Sequence, residues 1–243
     1  MDARRVIMKL DELNIAGKEK EGAELLERWR EDARCEGDFK AELTILSEML
    51  GQYRKLEDAG KGLKACEDAI AMVSDQGIEE TATGATILVN AATTLKTFGK
   101  AEESLSLFEK CENTFKKTLE KGDYRMSALY NNMALTLSDL GDFEKAERYF
   151  RNALKELEDI DNSDCDRAST YCNLAELYDR YSKGEEKVND AMEKAYCCLK
   201  EARRDSYLAY TLTRCIPTFD YFGFFIYCAE LKKLLSELTN DIS

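Results

Sequence analysis

An all-α fold of stacked helix hairpins is what this sequence predicts, and three observations predict it. Helix breakers are scarce, with one proline among 243 residues, while 44% hydrophobic and 34% charged residues, many of them Leu, Ala, Glu and Lys, favour helix. A pattern of small and large residues recurs along the chain, the mark of a repeat architecture. Each copy places a glycine, or a substitute for one, between two amphipathic stretches, where one helix ends and the next turns back.

The clearest copy is Ala128–Leu154, ALYNNMALTLSDLGDFEKAERYFRNAL. Ala134, Ala146 and Ala153 are small where two helices must approach, and Tyr130, Leu137, Phe143 and Phe150 fill the spaces between them. Gly141 ends the first helix and Asp142 caps the second. With Gly141 as position 15, Tyr130, Ala134, Leu137, Ala146, Phe150 and Ala153 fall at positions 4, 8, 11, 20, 24 and 27, and position 15 recurs at Gly17, Glu57 and Gly99, steps of 40, 42 and 42. The fifth copy is marked by YCNLAEL at Tyr171–Leu177 against YNNMALT at Tyr130–Thr136, a step of 41.

These copies predict one domain over 1–243, with hairpins at about 3–36, 41–75, 83–118, 124–160 and 166–200 and C-terminal capping helices at 205–240. The first hairpin turns at Ala16-Gly17 and carries the single tryptophan, Trp29. The second has Glu57-Asp58 in place of Gly-Asp, and Gly62 where Ala is expected. In the third, Ala92, Leu95, Gly99, Phe108 and Cys111 keep the pattern. Asp123 introduces the fourth as a helix cap. The fifth follows an acidic linker, Asp159–Asp166, and its turn, SKGEEKVND at Ser182–Asp190, reads as lengthened by about four residues and exposed. In the tail, Phe219, Tyr221, Phe222, Phe224, Phe225 and Tyr227 crowd together, and Pro217 and Gly223 are expected to kink or split a helix. The tail reads as a cap over the last repeat, or alternatively as the lining of a ligand or dimer surface.

A net charge of −13 argues against nucleic acid as partner, because phosphate neutralisation needs a basic face. Neither a signal peptide nor a run of about 18 apolar residues appears, so a soluble, cytoplasmic protein is expected. The nine cysteines are odd in number and contain no CxxC, which fits free buried thiols better than disulfides or zinc. Redox or metal regulation through Cys165, Cys172, Cys197 and Cys198 is the least favoured reading.

The pattern resembles the tetratricopeptide repeat (TPR). The third and fourth copies are similar to the 42-residue repeats of kinesin light chain, and LVNAATTLKTFGKAEESL (Leu88–Leu105), DYRMSALYNNMALTLSDLG (Asp123–Gly141) and CIPTFDYFGFF (Cys215–Phe225) resemble a group of bacterial TPR proteins, mostly from Firmicutes. The resemblance spans about residues 5–235. It implies a right-handed α-α superhelix, a TPR solenoid, with a protein-interaction role and no activity. Glu57 and Gly62 depart from the pattern and leave the bounds of the second copy open.

With no histidine in the chain, Ser-His and Cys-His nucleophiles and the common zinc-hydrolase ligand sets are ruled out. Phosphate-cradling GxxxxGK[ST] and GxGxxG loops are missing, and the carboxylates lie beside Lys and Arg as on solvated helix faces. The expectation is a protein that is not an enzyme and uses no cofactor or metal. Position 6 holds Asn90, Asn132 and Asn173, on the helix that the resemblance places along a concave groove. An amide donates and accepts at once and so pairs with a peptide main chain; in the repeat family such an asparagine often does. The same asparagines could instead bond a neighbouring helix. Their groove neighbours include Val89, Asn131 and Cys172 at position 5, with Arg54, Lys55 and Lys96 basic at one end and Asp139, Glu176 and Asp179, beside Arg180, more acidic at the other. The expected partner is a peptide or helical segment of another protein; self-assembly as a homodimer through the aromatic tail or a solenoid end is the alternative.

Overall fold

The computed structural model of the chain describes residues 2–241, and among these it shows twelve α-helices and no strand. Two compact units divide them, Met1–Leu119 and Glu120–Ser243. The first holds α1 (Ala3–Ile15), α2 (Glu19–Glu36), α3 (Phe39–Lys55), α4 (Ala59–Asp75), α5 (Ala82–Thr97) and α6 (Ala101–Thr118). The second holds α7 (Tyr124–Asp139), α8 (Phe143–Leu157), α9 (Asp164–Arg180), α10 (Glu185–Glu201), α11 (Ser206–Tyr221) and α12 (Phe225–Asp241). No helix among the described residues is long and apolar enough to cross a membrane.

Each unit is three hairpins deep. Within each unit, odd-numbered helices pack on the next odd-numbered helix, α1 on α3 on α5 and α7 on α9 on α11, while α2 packs on α3, α4 on α5, α8 on α9 and α10 on α11. Small residues allow these approaches: Ala92, Ala134, Ala146, Ala153 and Ala175 have no exposed surface. Phe108, Phe115, Phe150 and Phe219 fill the layers between hairpins and are also fully buried. Phe143, by contrast, is half-buried and stacks on Tyr181 with ring centroids 5.1 Å apart. Gly62 has a reason to depart from Ala: a Cβ there would stand 2.3 Å from Cε2 of Phe98.

One backbone feature ties the hairpins together. The turn residue takes a left-handed conformation at Gly17 (φ 66°), Glu57 (54°), Gly99 (79°), Gly141 (81°), Ser182 (51°) and Gly223 (78°). Glycine adopts it without a Cβ clash, and Glu57 and Ser182 hold it against that cost. The Asp38, Asp58 and Asp142 carboxylates accept from backbone amides of the helices that follow them, as capping requires.

The tail, expected as capping helices, is the helix pair α11 and α12, its turn at Gly223 lying 41 residues after Ser182 in the register of the repeat; other expectations need correction. Gly223 does separate two helices, but Pro217 sits inside α11, at an exposed position where water can satisfy the carbonyl it leaves free. The long turn of the fifth hairpin is also shorter than expected. Helix α10 begins at Glu185, because Glu185 and Glu186 suit the positive end of a helix, and only Tyr181–Gly184 lie outside it. The acidic linker likewise ends early, with Asp164 and Asp166 in the first turn of α9.

Candidate functional site

The first helix of each hairpin carries the polar side chains that the position-6 asparagines head. Within each unit, successive first helices are joined by side-chain hydrogen bonds one repeat apart. Asn90 Nδ2 donates to Ser47 Oγ at 2.9 Å, and Asn173 Nδ2 donates to Asn131 Oδ1 at 3.1 Å. Arg180 Nη1 donates to Ser138 Oγ at 3.1 Å and lies 3.6 Å from Asp139 Oδ1. Thr218 Oγ1 donates to Glu176 Oε1 at 3.0 Å, and the Tyr221 hydroxyl to Asp179 Oδ2 at 3.3 Å. All five run from one repeat position to the position just before it in the preceding hairpin: 6 to 5 twice, 10 to 9 once and 13 to 12 twice. A constant one-residue offset between packed helices accounts for this ladder.

Arg54 serves the same layer differently. Its Nη1 reaches from α3 into α5, donating to Thr94 Oγ1 at 2.6 Å and to the Asn90 carbonyl at 3.1 Å. Lys96, also on α5, is half-buried. The predicted site residues thus divide between the units: Arg54, Asn90 and Lys96 lie in the first, and Asn131, Asn132, Asn173, Glu176 and Arg180 in the second. The structure brings Arg54 against the backbone of Asn90, and Asn131 against Asn173. Asn132 is half-buried, and its side-chain amide has no hydrogen bond among the described residues. Two expected groove neighbours, Val89 and Cys172, are turned into the core.

The second unit carries two adjoining cavities. A cavity of about 340 Å³ opens between α9 and α11, lined by Glu176, Asp179, Arg180, Pro217, Thr218 and Tyr221. It adjoins a larger one of about 640 Å³ at the hairpin turns, which shares Asp179 and Tyr221 and reaches Tyr178, Glu185 and Phe222. Thr218 escapes the sequence reading, Pro217 enters it only as a helix breaker, and Tyr221 only as one of the tail aromatics that alternatively line a ligand surface. The signal that would have found them is the register itself: counting Gly223 as position 15 puts Pro217, Thr218 and Tyr221 at positions 9, 10 and 13 of a sixth first helix.

The thiols offer little chemistry. All nine are free, and seven are buried. Burial pushes the Cys66 and Cys165 thiols up to about 11 and that of Cys111 to about 12, so they stay protonated near neutrality. Among the described residues no group of three or more Cys, Asp or Glu side chains is placed to hold a metal ion.

Comparison with known proteins agrees with this geometry. Residues 125–196 match the family model of the tetratricopeptide repeat. No curated protein matches the sequence. Among solved structures, BtubC (BKLC) from P. vanneervenii is similar with 17% identity and a TM-score of 0.64, covering 92% of either chain. A putative kinesin light chain of Podospora anserina is similar with 14% identity and a TM-score of 0.58, over 82% of this chain and 95% of that one. A Rap protein complexed with competence and sporulation factor is similar with 15% identity and a TM-score of 0.67, over 96% of this chain and 68% of that one.

Proposed function

We propose that this chain, which has the tetratricopeptide-repeat fold, is a non-enzymatic interaction scaffold that binds a peptide or helical segment of a partner protein along its first helices. The fold is commonly a protein-interaction scaffold, and a similar structure is that of a Rap protein in complex with competence and sporulation factor. The observation that carries the reading is in the second unit: Asn132 keeps its whole amide unspent beside a ladder whose other members are bonded, and the open cavity at Tyr221 lies on the same series of packed first helices, α7, α9 and α11. A preformed helical surface of this kind loses little freedom on binding, which leaves more of the contact energy as affinity.

Selection of 12-residue peptides from a random display library, followed by calorimetry, tests this. Asn132→Ala should weaken a selected peptide about tenfold, the worth of one or two hydrogen bonds, at unchanged melting temperature. A peptide that binds Asn132→Ala as tightly as the wild type, or whose loss follows a fall in melting temperature, refutes the site.

Self-association is the second reading, supported by Phe225 and Ile226, 68% and 76% exposed at the start of α12. Sedimentation over a concentration series would show it; a strict monomer removes it.

A further inference from the structure

We infer that the joined cavities beside Tyr221 receive an arginine side chain of the partner segment, an inference that rests on the scaffold reading above. Glu176 and Asp179 stand one turn apart on α9, and both are exposed. Neither forms an ion pair among the described residues; each is held only by a neutral hydroxyl, Glu176 by Thr218 and Asp179 by Tyr221. Their negative charge is therefore uncompensated, in a chain of net charge −13.

Arg180 itself lines the smaller cavity, and its charge is engaged elsewhere. Arg180 is drawn toward α7 by Ser138 and Asp139, with its guanidinium 6.0 Å from the Phe143 ring centroid. Lys183 lies 4.0 Å over the ring of Tyr181. Glu185 adds a further carboxylate to the lining of the larger cavity.

The remaining walls choose the kind of cation. Tyr221 is 73% exposed, and its ring meets that of Phe222 edge-on, with centroids 4.9 Å apart at 77°. An open aromatic face beside carboxylates suits a planar, weakly hydrated guanidinium, which stacks on the ring and donates to the oxygens together. A hard metal ion would gain nothing from the ring, and an ammonium would lose the fork. The Tyr221 hydroxyl then acts as a placeholder on Asp179 that the incoming guanidinium displaces.

The test is a titration of the ¹⁵N-labelled full chain with N-acetyl-arginine amide, against N-acetyl-citrulline amide, which has the same shape without the charge. The arginine compound should shift amides near Glu176–Glu185 and Pro217–Phe222, and the citrulline compound should not. Glu176→Gln and Asp179→Asn should each weaken the response about tenfold, as expected for a charged hydrogen bond. Tyr221→Ala should weaken it too, whereas Tyr221→Phe, which frees Asp179, should strengthen it about threefold. Equal shifts from the two compounds, or none, overturn the arginine pocket. Degenerate octapeptide pools with and without a central arginine separate this from the parent reading. Shifts at Asn131 and Asn132 that are the same for both pools sink the pocket alone, and two silent pools sink both readings.

Discussion

Removing the amide pair Asn131–Asn173 should reveal a coupling that neither single substitution shows. Asn173 Nδ2 donates to Asn131 Oδ1 at 3.1 Å between half-buried side chains on packed helices. A neutral hydrogen bond of this kind contributes about 0.5–1.5 kcal/mol net. Alanine is the better helix former by about 0.5 kcal/mol, so each single alanine variant should lose only about half a kilocalorie. The double-mutant cycle cancels the propensity term and should return a coupling near 1 kcal/mol. Urea denaturation measures it, provided the slope is the same for all four proteins, since an altered slope would mean an altered unfolded state. Asn132→Ala is the internal control: with no side-chain partner to lose, it should be neutral or slightly stabilising. A cycle that closes at zero, or an Asn132→Ala as damaging as Asn173→Ala, would refute the assignment of one asparagine to bracing and the other to binding.

Gly62→Ala should destabilise by about 1–3 kcal/mol through overpacking, in spite of alanine's better propensity, because its Cβ would lie 2.3, 3.1 and 3.2 Å from three atoms of the Phe98 ring. Adding Phe98→Leu should recover most of the loss in thermal melts, and a Gly62→Ala that melts higher than wild type would contradict the packing. Ser182→Gly should stabilise by up to about 1 kcal/mol in the same melts, since Ser182 holds φ at 51° in an exposed turn; a lower melting temperature would show that serine is needed there. Burial pushes Glu147 up, but its bonds to Arg151 and Tyr178 and the charge of Lys187 outweigh that and hold its carboxyl below the ordinary 4.5. Its contribution to stability is thus complete above 4.5 and lost as pH falls through the lower folded-state value. Glu147→Gln should flatten the acid limb of a stability-against-pH curve, and an unchanged limb would remove the role.

Much of the fold was legible because the repeat obeys packing rules that residue types display directly. Small residues where helices approach, a left-handed turn residue and an aspartate cap are hard to substitute, so Ala134, Gly141 and Asp142 announce their hairpin. The tail's helices were expected, but their place in the repeat register stayed hidden because Ser182 holds a turn that usually belongs to glycine, which broke the count before it reached Gly223. Crowded aromatics and Pro217 then made an ordinary hairpin look irregular. The site was less legible. An asparagine at position 6 can brace a neighbour or meet a ligand, and its own identity does not decide between them. The deciding residue stands one repeat earlier at position 5, where Ser47 and Asn131 offer oxygen acceptors. Arg54, expected to make one end of the groove basic, is instead half-buried and bonded to Thr94 and the Asn90 carbonyl, a contact that only the packing of α3 on α5 reveals.

A backbone chemical-shift map of the ¹⁵N-labelled chain with a selected peptide bound tests the central claim most directly. The account predicts changes along α7, α9 and α11, strongest around Asn132, Asp179 and Tyr221. Changes confined to α8, α10 and α12 would place the partner on the opposite layer of helices and contradict it.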